Sequence, residues 1–429
     1  MILIIGAGLA GLSAAYHLQG VPTRVFEKDK EAGGLCRSYQ KDRFTFDFTG
    51  HLLHFRRAEI KALVEKLLGE GLARHTRRSY IYSHGVFTEY PFQVNTFGLP
   101  PEVVRECLLG FIATLTSPAS PDASKDRSFK EWIIENLGEG FAKHFMVPFN
   151  EKLWQVSLEE LTSDWVSWLI PKPELKDVVN GALGIKDKAF GYNPSFLYPI
   201  QGGIAVLPNA FLSGVSHIEY GRELIEVDTG RRRATFQDGR VEPYETLVST
   251  IPVPELVRRC TDLPAEIRDA ASGLRCASVY NVNLGVARER ISDKHWIYFP
   301  EAEYPFYRVG FPMNFAPSLG PSGCSSMYVE VSHQASRLIP PAELLNQVRR
   351  GLERAGVLQP HDDIVVADIL DIRYAYVLFD RHRARAVPAI LAELERRGIH
   401  SIGRYGRWEH SSMEDAMLQG RTLAERLRP

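Results

Sequence analysis

The chain has 429 residues, 45% hydrophobic and 24% charged, with a formal net charge of −1, which is enough for two or three packed domains. So even a balance argues against a nucleic-acid partner, because phosphate binding leaves a basic footprint. The longest apolar runs fall short of the roughly 18 residues a membrane helix needs, and Met1 leads straight into Ile2-Leu3-Ile4-Ile5, predicting no cleaved leader and a cytoplasmic location.

Residues 2–5 read as a buried parallel strand, 6–11 as a glycine-rich turn, 9–18 as a helix and 22–27 as a second strand, together a compact βαβ unit. Residues 57–190 turn mainly helical, with helices predicted over 58–68, 101–116 and 129–145 and a strand pair over 79–83 and 86–90. The Ser/Pro/Ala-rich segment 117–124 is the strongest linker signal. Strands follow over 217–220, 223–228, 233–237 and 245–251, then over 278–286, 296–299, 307–311 and 326–331. Helices are expected over 341–355 and 384–397, flanking a strand-turn segment, and over 412–427. No internal repeat is present, and the alternation predicts discontinuous domains.

Gly6-Ala7-Gly8-Leu9-Ala10-Gly11 fits G-x-G-x-x-G between a strand and a helix. Gly6 permits the tight turn, Gly8 lets backbone approach a pyrophosphate, and Gly11 lets helix and strand pack. The helix N-terminus offers free N–H groups and a positive dipole end. Glu27, at the end of the second strand, is placed to accept from ribose hydroxyls. A second glycine pair, Gly33-Gly34, follows directly, with Arg37 placed to meet a phosphate, and this favours FAD over NAD. The cysteines Cys36, Cys107, Cys260, Cys276 and Cys324 are odd in number and scattered, and read as reduced structural thiols. No metal-ligand spacing stands out.

The segment 27–38 resembles the glutathione-reductase-like FAD proteins, and most of all the group of amine oxidases, protoporphyrinogen oxidase and UDP-galactopyranose mutase. Leu247-Val248-Ser249-Thr250-Ile251-Pro252 resembles that group's returning strand, and residues 223–228 resemble its adenine-side strand. Several stretches look specifically like the mutase. Phe46-Asp47-Phe48-Thr49-Gly50-His51 resembles the motif whose backbone beside the histidine lies near the flavin N5. Tyr90-Pro91-Phe92-Gln93-Val94-Asn95, Phe149-Asn150-Glu151-Lys152-Leu153-Trp154, Trp296-Ile297-Tyr298 leading to Arg308, and Gly403-Arg404 resemble its substrate segments. The resemblance runs over nearly the whole chain, with gaps.

The resemblance implies an α/β fold: a doubly wound, glutathione-reductase-like FAD-binding domain (1–56, 195–256 and 390–429), an inserted helical domain (100–190) and a mixed or antiparallel β-sheet substrate domain (76–96 and 260–388). It implies FAD contacts from Gly6, Gly8, Leu9, Ala10, Gly11, Glu27, Lys28, Gly33, Gly34, Leu35, Ser38, Gly50, His51, Leu224, Gly403, Arg404, Met413 and Ala416. The implied substrate contacts are Tyr90, Phe92, Gln93, Phe149, Asn150, Trp154, Trp296, Tyr298, Arg308, Phe315, Tyr376 and His410, with His51, Arg308 and Arg404 catalytic. An arginine fork suits a diphosphate, and aromatic faces and amide edges suit a nucleobase.

The implied reaction is pyranose/furanose interconversion of a nucleotide-diphosphate sugar through an adduct on N5 of reduced FAD, with NAD(P)H as reductant. An amine oxidase or desaturase-like oxidoreduction is the alternative, and a flavin-binding scaffold or sensor a third reading. The chain departs from the mutase pattern at Thr49 (for a glycine), Leu169 (for a flap arginine, with Lys172 nearby), Phe315 and His410 (for tyrosines) and His54 (for an apolar residue). A substrate other than UDP-galactose is therefore expected.

Overall fold

The computed structural model describes residues 1–116, 127–166, 170, 172–186 and 194–428. The apolar opening run forms the strand Ile2–Ile5, fully buried at the centre of a five-stranded parallel sheet. Thr23–Phe26 and Thr246–Ser249 flank it, and Ile218–Glu219 and Ile399–Ser401 form the edges. Strands buried on both faces read as continuous apolar runs, which is why Ile2–Ile5 was visible in the sequence, whereas the edge strand Ile399–Ser401 was not foreseen. The helix Leu9–His17 crosses the helix Met413–Leu427 so closely at Gly420 that a Cβ there would lie 2.5 Å from the Ala10 carbonyl oxygen.

A seven-stranded sheet faces this nucleotide-binding half. Its order is Ile364–Val377, Cys276–Val286, Ser325–His333, Arg308–Gly310, Trp296–Tyr298, Ser79–Ser83 and Val86–Glu89. Every pairing is antiparallel except that of Trp296–Tyr298 with Ser79–Ser83. Side chains alternate across the two central strands. Val282, Leu284, Met327, Val329 and Val331 pack on Leu344, Val348 and Leu352 of the helix Pro341–Arg354. The alternate positions, Asn281, Asn283, Tyr328 and Glu330, are equally buried but polar, and they turn to the opposite face. A buried polar face on a sheet marks a site rather than a core.

The helical elements Pro101–Thr116, Phe129–Phe141, Val147–Trp154 and Leu175–Leu183 cluster together. The helix expected over 129–145 is shorter, because Gly138 adopts φ 86° and residues 142–146 widen into a π-turn before Val147–Trp154 begins. Pro148, which has no N–H to donate, sits in the first turn of that next helix. The helix expected from 384 starts at Arg381, where the Asp380 side chain caps the Arg383 N–H at 2.7 Å. The pairs Ser38–Lys41 with Phe44–Asp47 and Leu72–Thr76 with Ser195–Pro199 were not foreseen. The linker segment 117–124 lies outside the described residues. No helix among the described residues is long and apolar enough to cross a membrane.

Candidate functional site

The nucleotide cradle is built by glycines. A Cβ on Gly6 (φ 98°) would lie 2.3 Å from Thr250 Oγ1, and one on Gly11 would lie 2.0 Å from the Gly6 carbonyl oxygen. Gly33 N–H donates to the Ala7 carbonyl at 2.8 Å, which brings Gly34 against Gly8, with Leu35 half-buried beside it. The helix Leu9–His17 starts with no side-chain cap, leaving its first N–H groups for an anion. Buried Glu27 accepts from Ala7 N (2.7 Å) and Asp29 N (2.9 Å), and its oxygens keep lone pairs for a ribose. An uncapped helix start behind glycines that admit no side chain fits the pyrophosphate of FAD. Gly403 (φ 81°) closes the cradle: its Cβ position lies 3.0 Å from that of Ala10, and its N–H donates to Gln419 at 2.7 Å.

Ser38 holds the loop that runs from the cradle to His51. Its hydroxyl donates to Asp47 at 2.6 Å and accepts from Ala205 N at 3.0 Å. The Asp47 carboxylate also accepts from Tyr198 (2.6 Å) and Ile204 N (3.1 Å), and burial raises its pKa to about 6 against those donors. His51 Nδ1 lies 3.2 Å from the Thr49 carbonyl. Burial lowers its pKa to about 4, opposed by Thr49 and Glu330 and reinforced by Arg404 and Arg308, so it is neutral at pH 7. His51, Gly50, Asn283, Phe315 and Tyr328 line a small cleft.

Register sets the polar row above the cradle. Tyr298 pairs with Arg308, Arg308 with Glu330, and Glu330 with Asn281 across adjacent strands. Arg308 Nη2 donates to Glu330 Oε1 at 2.7 Å and Nε donates to Oε2, a bidentate pair with the carboxylate 1% exposed. Arg404 donates to the carbonyls of Ser411 (2.9 Å) and Ala375 (3.3 Å), and its Nη2 lies 3.4 Å from His410 Nδ1. Burial and Arg404 lower the His410 pKa to about 3.

Aromatic rings join these groups. Tyr90 meets Tyr298 (5.3 Å), Tyr298 meets Phe149 (5.5 Å), Phe149 meets Tyr307 (6.3 Å), Tyr307 meets Tyr376 (6.2 Å) and Tyr376 meets Trp154 (5.7 Å). The Tyr307 and Tyr376 hydroxyls are 3.2 Å apart. Trp154 Nε1 is a buried donor with no hydrogen-bond partner among the described residues. Arg77 lies over the rings of Tyr90 (4.4 Å) and Trp296 (5.0 Å), and its Nη2 is 3.4 Å from the Tyr298 hydroxyl.

The structure thus brings His51, Arg308, Arg404, Tyr298, Phe149, Trp154, Tyr376 and His410 to one region, and it corrects the reading of others. Phe92 is 1% exposed and stacked on Phe145 at 5.0 Å, so it is a core ring. Leu224 turns its side chain into the core and gives its carbonyl to Arg259 at 2.7 Å. The Arg308 fork is already held by Glu330. Lys28 is exposed, Met413 and Ala416 sit in the first turn of the closing helix, Gln93 is buried, and Asn150 donates to Met146 O at 2.7 Å. Phe315 packs on Tyr198 at 4.8 Å. Lys172 lies over Trp132 at 5.8 Å rather than towards the site, and Leu169 lies outside the described residues. The sequence reading missed Glu330, Asn281, Tyr307, Tyr328 and Arg77. Alternation along 325–333 was the available signal for Tyr328 and Glu330, because it leaves them on the face opposite Met327, Val329 and Val331.

A parallel sheet and a mostly antiparallel sheet with a buried polar face make a mixed α/β fold similar to FAD-dependent oxidoreductase-type structures. The chain belongs to the flavin containing amine oxidoreductase family, whose model matches residues 9–428, and membership implies a flavin cofactor. Among solved structures it is similar to a reduced UDP-galactopyranose mutase (26% identity, TM-score 0.92, covering 99% of this chain and 93% of that one). It shares the fold of a putative protoporphyrinogen oxidase from Exiguobacterium sp. 255-15 (16% identity, TM-score 0.78, covering 99% and 98%). It is also similar to protoporphyrinogen oxidase 2 of Arabidopsis thaliana, 23% identical over 284 residues, a match covering 57% of this chain and about half (54%) of that protein.

Proposed function

We propose that the protein is a flavin-dependent mutase of a nucleotide-diphosphate sugar, interconverting pyranose and furanose rings. The observation that carries this reading is the convergence of Arg308, Arg404, Tyr376 and Trp154, whose Nε1 has no partner among the described residues, in a chain of TM-score 0.92 to the mutase. The residues proposed to hold FAD are Gly6, Gly8, Leu9, Ala10, Gly11, Glu27, Gly33, Gly34 and Ser38. Bound and reduced by NAD(P)H, the flavin supplies an electron-rich centre for the sugar's anomeric carbon. Tyr90, Tyr298 and Phe149 present faces to the base, Arg404 and the remaining Arg308 Nη1 face the diphosphate, and the closed aromatic wall excludes water.

One observation favours an oxidase or desaturase instead: Glu330 already neutralises Arg308. The deciding experiment incubates a nucleotide-sugar panel with dithionite-reduced and oxidised holoprotein. An isomer of unchanged mass formed only by the reduced protein supports the mutase. No conversion, with oxygen consumed on amines or cyclic substrates, favours the oxidase.

A further inference from the structure

Where the seven-stranded sheet meets the helical elements, three side chains from three elements converge. His84 comes from the turn between the strands Ser79–Ser83 and Val86–Glu89, Glu106 from the helix Pro101–Thr116, and His144 from the π-turn 142–146. His84 Nε2 lies 3.2 Å from His144 Nδ1. On the far side of that ring, His144 Nε2 lies 2.9 Å from Glu106 Oε2, which also accepts from Lys143 Nζ at 2.7 Å. His84 has φ 52° and Gly85 φ 76°, the left-handed pair of a two-residue hairpin turn that favours Asn-Gly.

Charge decides which nitrogen is free. Lys143 and His144 hold the Glu106 carboxyl down at about 2, so it is a carboxylate and can only accept. The neutral His144 ring therefore carries its hydrogen on Nε2 and turns the lone pair of Nδ1 towards His84. The two ring centres are 5.1 Å apart with their planes at 63°. Two imidazoles bound to one tetrahedral ion at about 2.0–2.1 Å place their nitrogens about 3.3 Å and their ring centres about 5 Å apart. Both spacings are already present. We propose that His84 and His144 form a two-histidine site for a divalent transition-metal ion of the Zn²⁺ class, with Glu106 fixing the His144 tautomer and orientation from behind. The described residues supply no set of three protein ligands, and His84 is exposed, so water completes the coordination. On binding, the ion takes the place of the hydrogen between the rings, and His84 keeps its own on Nδ1. The ion pins the hairpin tip to the π-turn from which Val147–Trp154 starts.

The test titrates Zn²⁺ into the full chain after EDTA treatment, with Mg²⁺ as the control ion, and follows calorimetric binding and melting temperature. A single equivalent of Zn²⁺ is expected to bind and to raise the melting temperature, whereas Mg²⁺, which prefers oxygen ligands, does neither. His84→Asn suits the left-handed turn and removes one ligand, so it is expected to fold like wild type and to bind Zn²⁺ more weakly by about tenfold or more. His144→Gln repeats the test from the other side if that variant does not fold. Glu106→Gln keeps both ligands and loses the carboxylate behind them, and is expected to weaken binding about tenfold. No saturable Zn²⁺ binding by wild type, or wild-type affinity in the folded histidine variants, would overturn the proposal. Neither FAD content nor turnover enters the measurement, so the outcome is independent of the proposed mutase activity.

Discussion

Arg308 and Glu330 show how one contact changes what a residue can do. An arginine fork free to grip a diphosphate and one already closed on a carboxylate bring different net charges to a ligand. Removing one partner of a buried pair strands the other, at a cost of about 3 kcal/mol or more. Glu330→Gln is therefore expected to lower stability by that order, and inorganic pyrophosphate is expected to restore part of it by taking the vacated fork. Thermal melts with and without pyrophosphate check both, and no rescue would remove Arg308 from the anion site.

Asp47 gives a second expectation at this scale. Its pKa in the folded protein, about 6, lies above its ordinary 3.8 because of burial. Its contribution is therefore fully present below pH 3.8 and lost as pH rises through 6. Asp47→Asn should gain stability relative to wild type by at most about 3 kcal/mol as pH rises over that window. A constant difference between the two melting curves would show that Asp47 does not titrate there.

Among elements, the helix Val147–Trp154 holds the paired strands Trp296–Tyr298 and Arg308–Gly310 through one side chain. Lys152 Nζ donates to the carbonyls of Phe299 (2.8 Å), Glu301 (2.5 Å) and Phe306 (3.3 Å), using all three ammonium protons. Burial lowers its pKa to about 7, opposed by the nearby charges of Glu301 and Glu303. Lys152→Met should cost about 3 kcal/mol in chemical denaturation, since each stranded buried acceptor costs roughly 1–3 kcal/mol. Hydrogen exchange should quicken first in residues 296–310.

Elements were also what the sequence disclosed most readily. The glycine turn, its strand and its helix are local, as are the helices 58–68 and 101–116, which appear with the expected bounds. The aromatic stretches were legible as strings of residues, but their partners were not. Glu330 meets Arg308 through a strand register that no local pattern encodes, and residues 72–76 pair with 195–199 across more than a hundred intervening positions. Short edge strands such as Ser38–Lys41 carry too few residues for alternation to show.

Over the whole molecule, acid sensitivity follows from where the imidazoles sit. Burial lowers the pKa of His51, His54 and His295 to about 4 and that of His410 to about 3, all below the ordinary 6.5. Their contribution is present above pH 6.5 and lost as pH falls through 4, because the unfolded chain takes up protons that the folded one refuses. Four such groups outweigh the opposite trend of Asp47, so the melting temperature should fall between pH 6.5 and 4. His54→Gln with His295→Gln should flatten that fall, and an unchanged slope would assign the acid response elsewhere.

The crossing of Leu9–His17 with Met413–Leu427 also has a consequence for biosynthesis. The first helix leaves the ribosome about 400 residues ahead of the helix that covers it. At 5–20 residues per second, the intervening 400 or so residues occupy roughly 20–80 s. During that time the nascent chain carries an uncovered apolar face and half a nucleotide cradle. Cofactor loading therefore waits until Met413–Leu427 has emerged, and a stop codon ahead of that helix would leave the cradle unfinished.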